Sequence, residues 1–206
     1  MIQSLVSAAI IMLFPFHVLF AQGQSSSNKS LRVLTFNIFH GATSEGNYDL
    51  DKIAEVIEGF NPDLVALQEV DFKTRRARNY DLATELGLRT KMAPLFGKAM
   101  NFDGGAYGVG ILTKMPIISS QNVPLPHSAG NEPRTALQVA VEIPSGDTVC
   151  FISTHLHHQR DNKDRLAQTA HINQTFTKSI HPAILAGDLN DTPQSEAINR
   201  LKKFWT

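Results

Sequence analysis

The sequence predicts an α/β domain built on mixed sheet, and three observations carry that expectation. Four apolar runs stop abruptly at polar residues: the first at Asn37, the second at Gln68-Glu69, the third at His155 and the fourth at Asp188-Leu189-Asn190. In each half of the chain two of these run ends bracket a segment of helical periodicity, as parallel strands joined by a crossover helix require. Ahead of the third run, an alternating segment turns back through Pro144-Ser145-Gly146-Asp147, a hairpin signature. Ligand sites collect at the carboxyl ends of parallel strands, so four polar ends in two similar halves predict one shared pocket between them.

Taken in order, residues 31–38 form the first strand. Asp49 offers an N-cap, and Ile53, Val56, Ile57 and Phe60 recur at helical spacing until Asn61-Pro62 ends the helix. Residues 63–70 return as a strand carrying Glu69. Residues 79–86 read as a short helix closed by Gly87. Residues 98–110, with Asn101, Asp103, Gly104, Gly105, Gly108 and Gly110, read as a loop feeding a strand, and no Walker pattern links that loop to phosphate.

Residues 135–143 alternate, with Leu137, Val139, Val141 and Ile143 on one face and Gln138 and Glu142 on the other. The strand ending at His155 follows. Residues 161–178 predict a helix carrying Leu166, Ala170, Ile172 and Phe176, which leads into a buried strand over residues 182–188. There Asp188 and Asn190 share one side while Leu189 turns into the core. Thr192-Pro193 supplies an N-cap and first turn for a last helix containing Ala197, Ile198 and Leu201.

The 206 residues suit one domain with a core that needs no disulfide. The single Cys150, in a strand apolar on both faces, excludes an internal disulfide and reads as a core thiol. Nineteen Lys and Arg balance nineteen Asp and Glu, so there is no broad positive field to hold a polyanion, and charge gives nucleic acid no support as a partner. The local cluster of Lys73, Arg75, Arg76 and Arg78 reads either as a solvated loop or as a phosphate-facing rim. Residues 5–21 are apolar and end in small residues, with a polar linker at 22–30, which predicts a secretory signal peptide over 1–21. An uncleaved membrane anchor is the alternative, at the short limit for spanning. Either places the rest of the chain outside the cytoplasm, secreted or periplasmic.

Six stretches in order resemble the endonuclease/exonuclease/phosphatase family of deoxyribonuclease I-like fold. They are Thr35-Phe36-Asn37-Ile38, Leu67-Gln68-Glu69-Val70, Tyr107-Gly108-Val109-Gly110-Ile111-Leu112, Glu132-Pro133-Arg134, Ser153-Thr154-His155-Leu156 and Gly187-Asp188-Leu189-Asn190. The resemblance covers roughly residues 31–205. It implies a four-layer α/β/β/α sandwich of two mixed sheets flanked by helices, occupying 31–206. It also implies hydrolysis of a phosphodiester by activated water. Members similar to this chain continue to an Asp-Tyr strand and a final Ser-Asp-His. Neither occurs before Thr206, so the expectation is a C-terminally incomplete domain with its last strands missing and a sheet edge exposed. Such a chain is either an active phosphoesterase or a binding remnant.

By the same resemblance Glu69 is the main metal ligand, Asn37 assists it and Asp188 also contacts metal. Their hard oxygens suit Mg²⁺ or Mn²⁺. Asp188 and Asn190 orient the attacking water, and Asn190, a protonated His155 and Arg134 stabilise charge on phosphorus oxygens, with Tyr107 lining the pocket. His155, His157 and His158 near Asp161 also suggest zinc, but no cysteine or helical His-Glu spacing completes such a site. The family cuts nucleic acids, sphingomyelin-like lipids and phosphoinositides. Neutral charge and export favour a phospholipid head group or a small phosphodiester, a membrane surface as partner, and a monomer.

Overall fold

A computed structural model describes residues 30–205, so the apolar leader and all but the last residue of the linker lie outside the described residues. The first sheet has strand order β1 (Val33–Asn37), β2 (Leu64–Phe72), β4 (Gly105–Thr113), β3 (Ala93–Phe102). The second runs β5 (Ile117–Leu125), β6 (Arg134–Glu142), β7 (Thr148–His155), β8 (Ala183–Asp188). The β1/β2 pair is parallel and crosses over through α1 (Leu50–Phe60), and the β7/β8 pair is parallel through α3 (Lys163–Phe176). All other pairs are antiparallel, so both sheets are mixed.

The sheets pack face to face. Leu64 and Ala66 of β2 and Val109 and Ile111 of β4 meet Leu137, Val139 and Val141 of β6 and Phe151 of β7. Outside the first sheet lie α1 and α2 (Leu82–Thr90), and outside the second lie α3 and α4 (Glu196–Leu201), which gives four layers. The first crossover helix forms where its sequence places it, but its buried stripe is shifted: Ile53 and Ile57 are covered, whereas Val56 and Phe60 of the expected stripe are exposed. Asp49 caps the Lys52 N–H, Asn61 closes the helix in the left-handed region, and Leu50, Ile53, Ala54 and Ile57 are buried. Each large aliphatic side chain on that stripe contributes about 1.5–3 kcal/mol.

Several elements depart from expectation. Residues 98–110 are no loop: β3 and β4 form a hairpin whose turn, Asp103-Gly104, has both φ angles positive, as a two-residue Asp-Gly turn demands. The neighbouring glycines belong to β4, where the strands press together; a Cβ at Gly108 would stand 1.9 Å from the Gly97 carbonyl. The helix expected at 79–86 begins only after its Asp81 cap, and it runs through Gly87 to Thr90. The last helix is capped by Ser195, whose Oγ accepts from the Ile198 N–H, and not by Thr192.

α3 buries a mostly polar face of Asp164, Arg165, Gln168, Thr169 and Asn173 beside Ile172 and Phe176, while Leu166 and Ala170 are only partly covered. These polar groups are tolerated because they are bonded. Gln168 accepts from the His157 N–H and donates to the Pro126 carbonyl, and Asn173 bonds the Arg200 carbonyl and the Trp205 indole. The strand over Ala183–Asp188 is half-buried and forms the edge of its sheet. Cys150 is a buried free thiol, as expected.

Candidate active site

Glu69 does not end its strand. β2 continues to Phe72, and its register against β4 slips between Leu67 and Val70. At that bulge Glu69 takes φ of 55°, a strained value for a residue with a side chain. Gln68 and Val70 on either side are buried, and the bulge sends the Glu69 carboxylate into the cavity. Its Oε1 accepts from Asn37 Nδ2 at 2.9 Å, and Oε2 stands 3.3 Å from His40 Nδ1.

Asn37, at the end of β1, is fixed by its Oδ1 accepting from the Phe39 N–H at 3.0 Å. Its Nδ2 also lies 3.4 Å from Asp188 Oδ2, so the carboxamide ties the first sheet to the second. Asp188 ends β8 because Gly187 lets that strand crowd β7; a Cβ at Gly187 would come within 2.1 Å of the Thr154 carbonyl. Asp188 Oδ1 then accepts from the Asn190 N–H, and Asn190, at φ of 50°, donates from Nδ2 to the Leu156 carbonyl at 2.9 Å. Leu189 packs into the second-sheet core, as the alternation predicts.

The opposite wall carries Arg134 and His155. Arg134 is 4% exposed, yet Nε and Nη1 have no hydrogen-bond partner; Nη2 meets His158 Nδ1 at 3.2 Å, and Nη1 is 3.3 Å from Glu132 Oε1. His155 is also buried, with Nδ1 unpartnered and Nε2 3.7 Å from Asp188 Oδ2. Burial first, and then the Arg134 charge, push its pKa down to about 4. The positive charge expected on His155 is therefore absent at neutral pH, and the imidazole is neutral. Burial pushes the Tyr107 phenol well above its ordinary range, so it keeps its proton and can donate.

The cavity between these walls measures about 400 Å³. It brings together Glu69, Tyr107, Arg134, His155, Asp188 and Asn190, with Asn37 bonded behind Glu69. It also holds Arg76, named above as part of a possible phosphate-facing rim, Glu132 and His158, named above without this role, and Met100 and Phe102, which sequence reasoning did not single out. The basic cluster divides between its two readings. Arg75 pairs with Asp103 on the surface and Arg78 lies over the Tyr48 ring, but Arg76 faces the cavity, held by the fully buried Asp71 at 2.7 and 2.8 Å.

The Glu69 and Asp188 carboxylates, from different sheets, converge on the Asn37 amide nitrogen, and their hard oxygens suit a small divalent cation; Asn37 Oδ1, the atom a cation would take, accepts from the Phe39 N–H. Among the described residues no three His, Cys, Asp or Glu side chains converge to hold a metal of any kind, and the zinc reading also loses His158, which contacts Arg134.

A profile of the Endonuclease/Exonuclease/phosphatase family matches residues 34–205. Among solved structures, an endonuclease/exonuclease/phosphatase from Beutenbergia cavernae DSM 12333 is 24% identical with a TM-score of 0.68, covering 84% of this chain and 52% of its own. The human Nocturnin catalytic domain with bound sulfate is 22% identical with a TM-score of 0.64, covering 82% of this chain and 67% of its own. ANGEL2, a 2',3'-cyclic phosphatase, is 17% identical with a TM-score of 0.62, covering 84% and 56%. The chain thus spans about half the length of the Beutenbergia protein and shares the fold of all three.

Proposed function

The chain belongs to the endonuclease/exonuclease/phosphatase family, and from that premise we propose that it hydrolyses a phosphodiester with the help of Mg²⁺ or Mn²⁺ held by Glu69, Asn37 and Asp188. One observation carries the reading: the Glu69 and Asp188 carboxylates line one cavity together with the buried Arg134 guanidinium, whose contacts are Glu132 and His158. When bound, such a cation neutralises a phosphate oxygen and polarises phosphorus toward water.

The protein's own groups supply the rest. Arg134 offers its unpartnered N–H groups to two phosphate oxygens as a planar fork. The protonated Tyr107 and the neutral His155 add uncharged donors in a site where water is scarce. Asn190 is held in orientation by the Leu156 carbonyl and keeps its carboxamide oxygen to accept a hydrogen bond from the attacking water, which it orients.

The balanced charge favours a lipid head group or a small phosphodiester over nucleic acid. A small cyclic diester, such as ANGEL2 acts on, is of a size the cavity accommodates. The apolar run at 5–21 supports work outside the cytoplasm.

Hydrolysis of an aryl phosphodiester by the full chain, with Mg²⁺ or Mn²⁺ and with chelator, tests the reading. The expected result is metal-dependent turnover that Glu69→Gln lowers at least about 100-fold; turnover indifferent to both chelator and that substitution would refute it. A second reading, binding without turnover, is favoured by the absence of three convergent acidic or histidine side chains among the described residues. Metal-dependent binding of the diester without product would support it.

A further inference from the structure

Phe102 lines the cavity with no part in handling phosphate. It is the last residue of β3 and 37% exposed, so part of its ring is uncovered. It is also held firmly. At the adjoining hairpin turn, Asp103 accepts from Arg75 Nε at 2.9 Å and from the Arg76 N–H at 2.8 Å, and its carbonyl accepts from the Arg75 N–H. The Arg76 guanidinium lies 4.5 Å from the Phe102 ring centre and 5.6 Å from that of Tyr107, fixed in plane by its two bonds to buried Asp71. The Phe102 and Tyr107 rings are 6.1 Å apart and tilted by 57°. Phe102 and the Arg76 guanidinium, held in place by these bonds with the buried Tyr107 ring beside them, form a preorganised π surface in the cavity that Arg134 also lines.

We propose that this surface selects a phosphodiester in which one ester arm is a planar aromatic group, stacked on Phe102 and the Arg76 guanidinium while the phosphate meets Arg134. The proposal rests on the phosphate-handling reading above. An aliphatic arm of equal size buries similar area, but it gains nothing from ring quadrupoles or from a flat cation. A planar arm gains both. The specificity therefore resides in shape and π character, and apolar bulk alone does not supply it.

The test uses two phosphonates that cannot be hydrolysed at the carbon–phosphorus bond, phenylphosphonate and cyclohexylphosphonate, titrated calorimetrically into the full chain with Mg²⁺ present. Wild-type protein is expected to bind the phenyl compound roughly tenfold more tightly. Phe102→Leu, which keeps apolar bulk and removes the ring, should bring the ratio below about twofold, while Phe102→Tyr preserves it. Thermal melting of each variant checks that it is folded. Equal affinities in wild type, or a preference that survives Phe102→Leu, overturns the proposal. Failure to bind either phosphonate overturns it together with the placement of phosphate at Arg134. Selective binding by a chain that turns over no diester leaves the aromatic wall standing and refutes only the hydrolytic reading.

Discussion

A carboxylate placed by a left-handed backbone angle, a carboxamide shared by two sheets and a buried guanidinium set between Glu132 and His158 define the site one residue at a time. Gly187 is the most exacting of the supporting positions. Gly187→Ala is expected to cost about 1–3 kcal/mol, because the new methyl meets the Thr154 carbonyl and the strands must part. Denaturant melting measures that loss, and turnover should fall with it as Asp188 moves. Arg134→Lys keeps a charge but loses the planar fork, so kcat/KM is expected to drop at least about tenfold. Asn37, Glu69, His155 and Asp188 could be read from the sequence because each interrupts an apolar run, and contrast is what makes a residue visible. Arg76, Glu132 and His158 sit in polar surroundings that offer no such contrast, and the backbone angle that aims Glu69 leaves no trace in residue type.

At the scale of elements, α3 supports the loop that leads to Arg134. Buried Asp164 accepts from the Ser128 N–H and hydroxyl and from Asn131 Nδ2, pinning the chain just ahead of β6. Burial alone would raise its pKa, but the Ser128 and Asn131 hydrogen bonds outweigh it and hold the carboxyl at about 2, below its ordinary 3.8. A carboxyl depressed on folding stabilises the protein above its unfolded pKa, and that contribution is lost as pH falls from about 4 to about 2. The expected loss is about 1–2 kcal/mol. Acid titration of the melting temperature should show it, and Asp164→Asn should flatten the curve in that window. This polar face also explains why the apolar stripe expected of α3 holds only in part, with Ile172 and Phe176 buried but Leu166 and Ala170 partly covered. A helix that buries bonded Gln, Asp and Asn does not follow hydrophobic periodicity. The β3–β4 hairpin was obscured similarly, since glycines needed for close strand approach resemble a loop.

Over the whole molecule, the two parallel crossovers and their shared pocket followed from where apolar runs stop. The division into two stacked sheets did not, because alternation reports that a face is buried without saying what buries it; that layering came from the family resemblance. β5 was invisible because it is an exposed edge strand whose polar centre, Ser119-Ser120-Gln121-Asn122, interrupts any apolar run. Zero net charge predicts a shallow salt dependence for any DNA binding, with a slope well short of that of proteins neutralising about 6–10 phosphates. Titration at increasing ionic strength measures it.

The hydrogen bond from Asn37 to Asp188 joins groups 151 residues apart in the chain. Closing so long a loop is slow compared with forming either crossover. Half of the site therefore does not exist until β8 has left the ribosome and docked. A chain that is still unfolded carries no formed pocket, and whatever the site does can begin only where folding finishes.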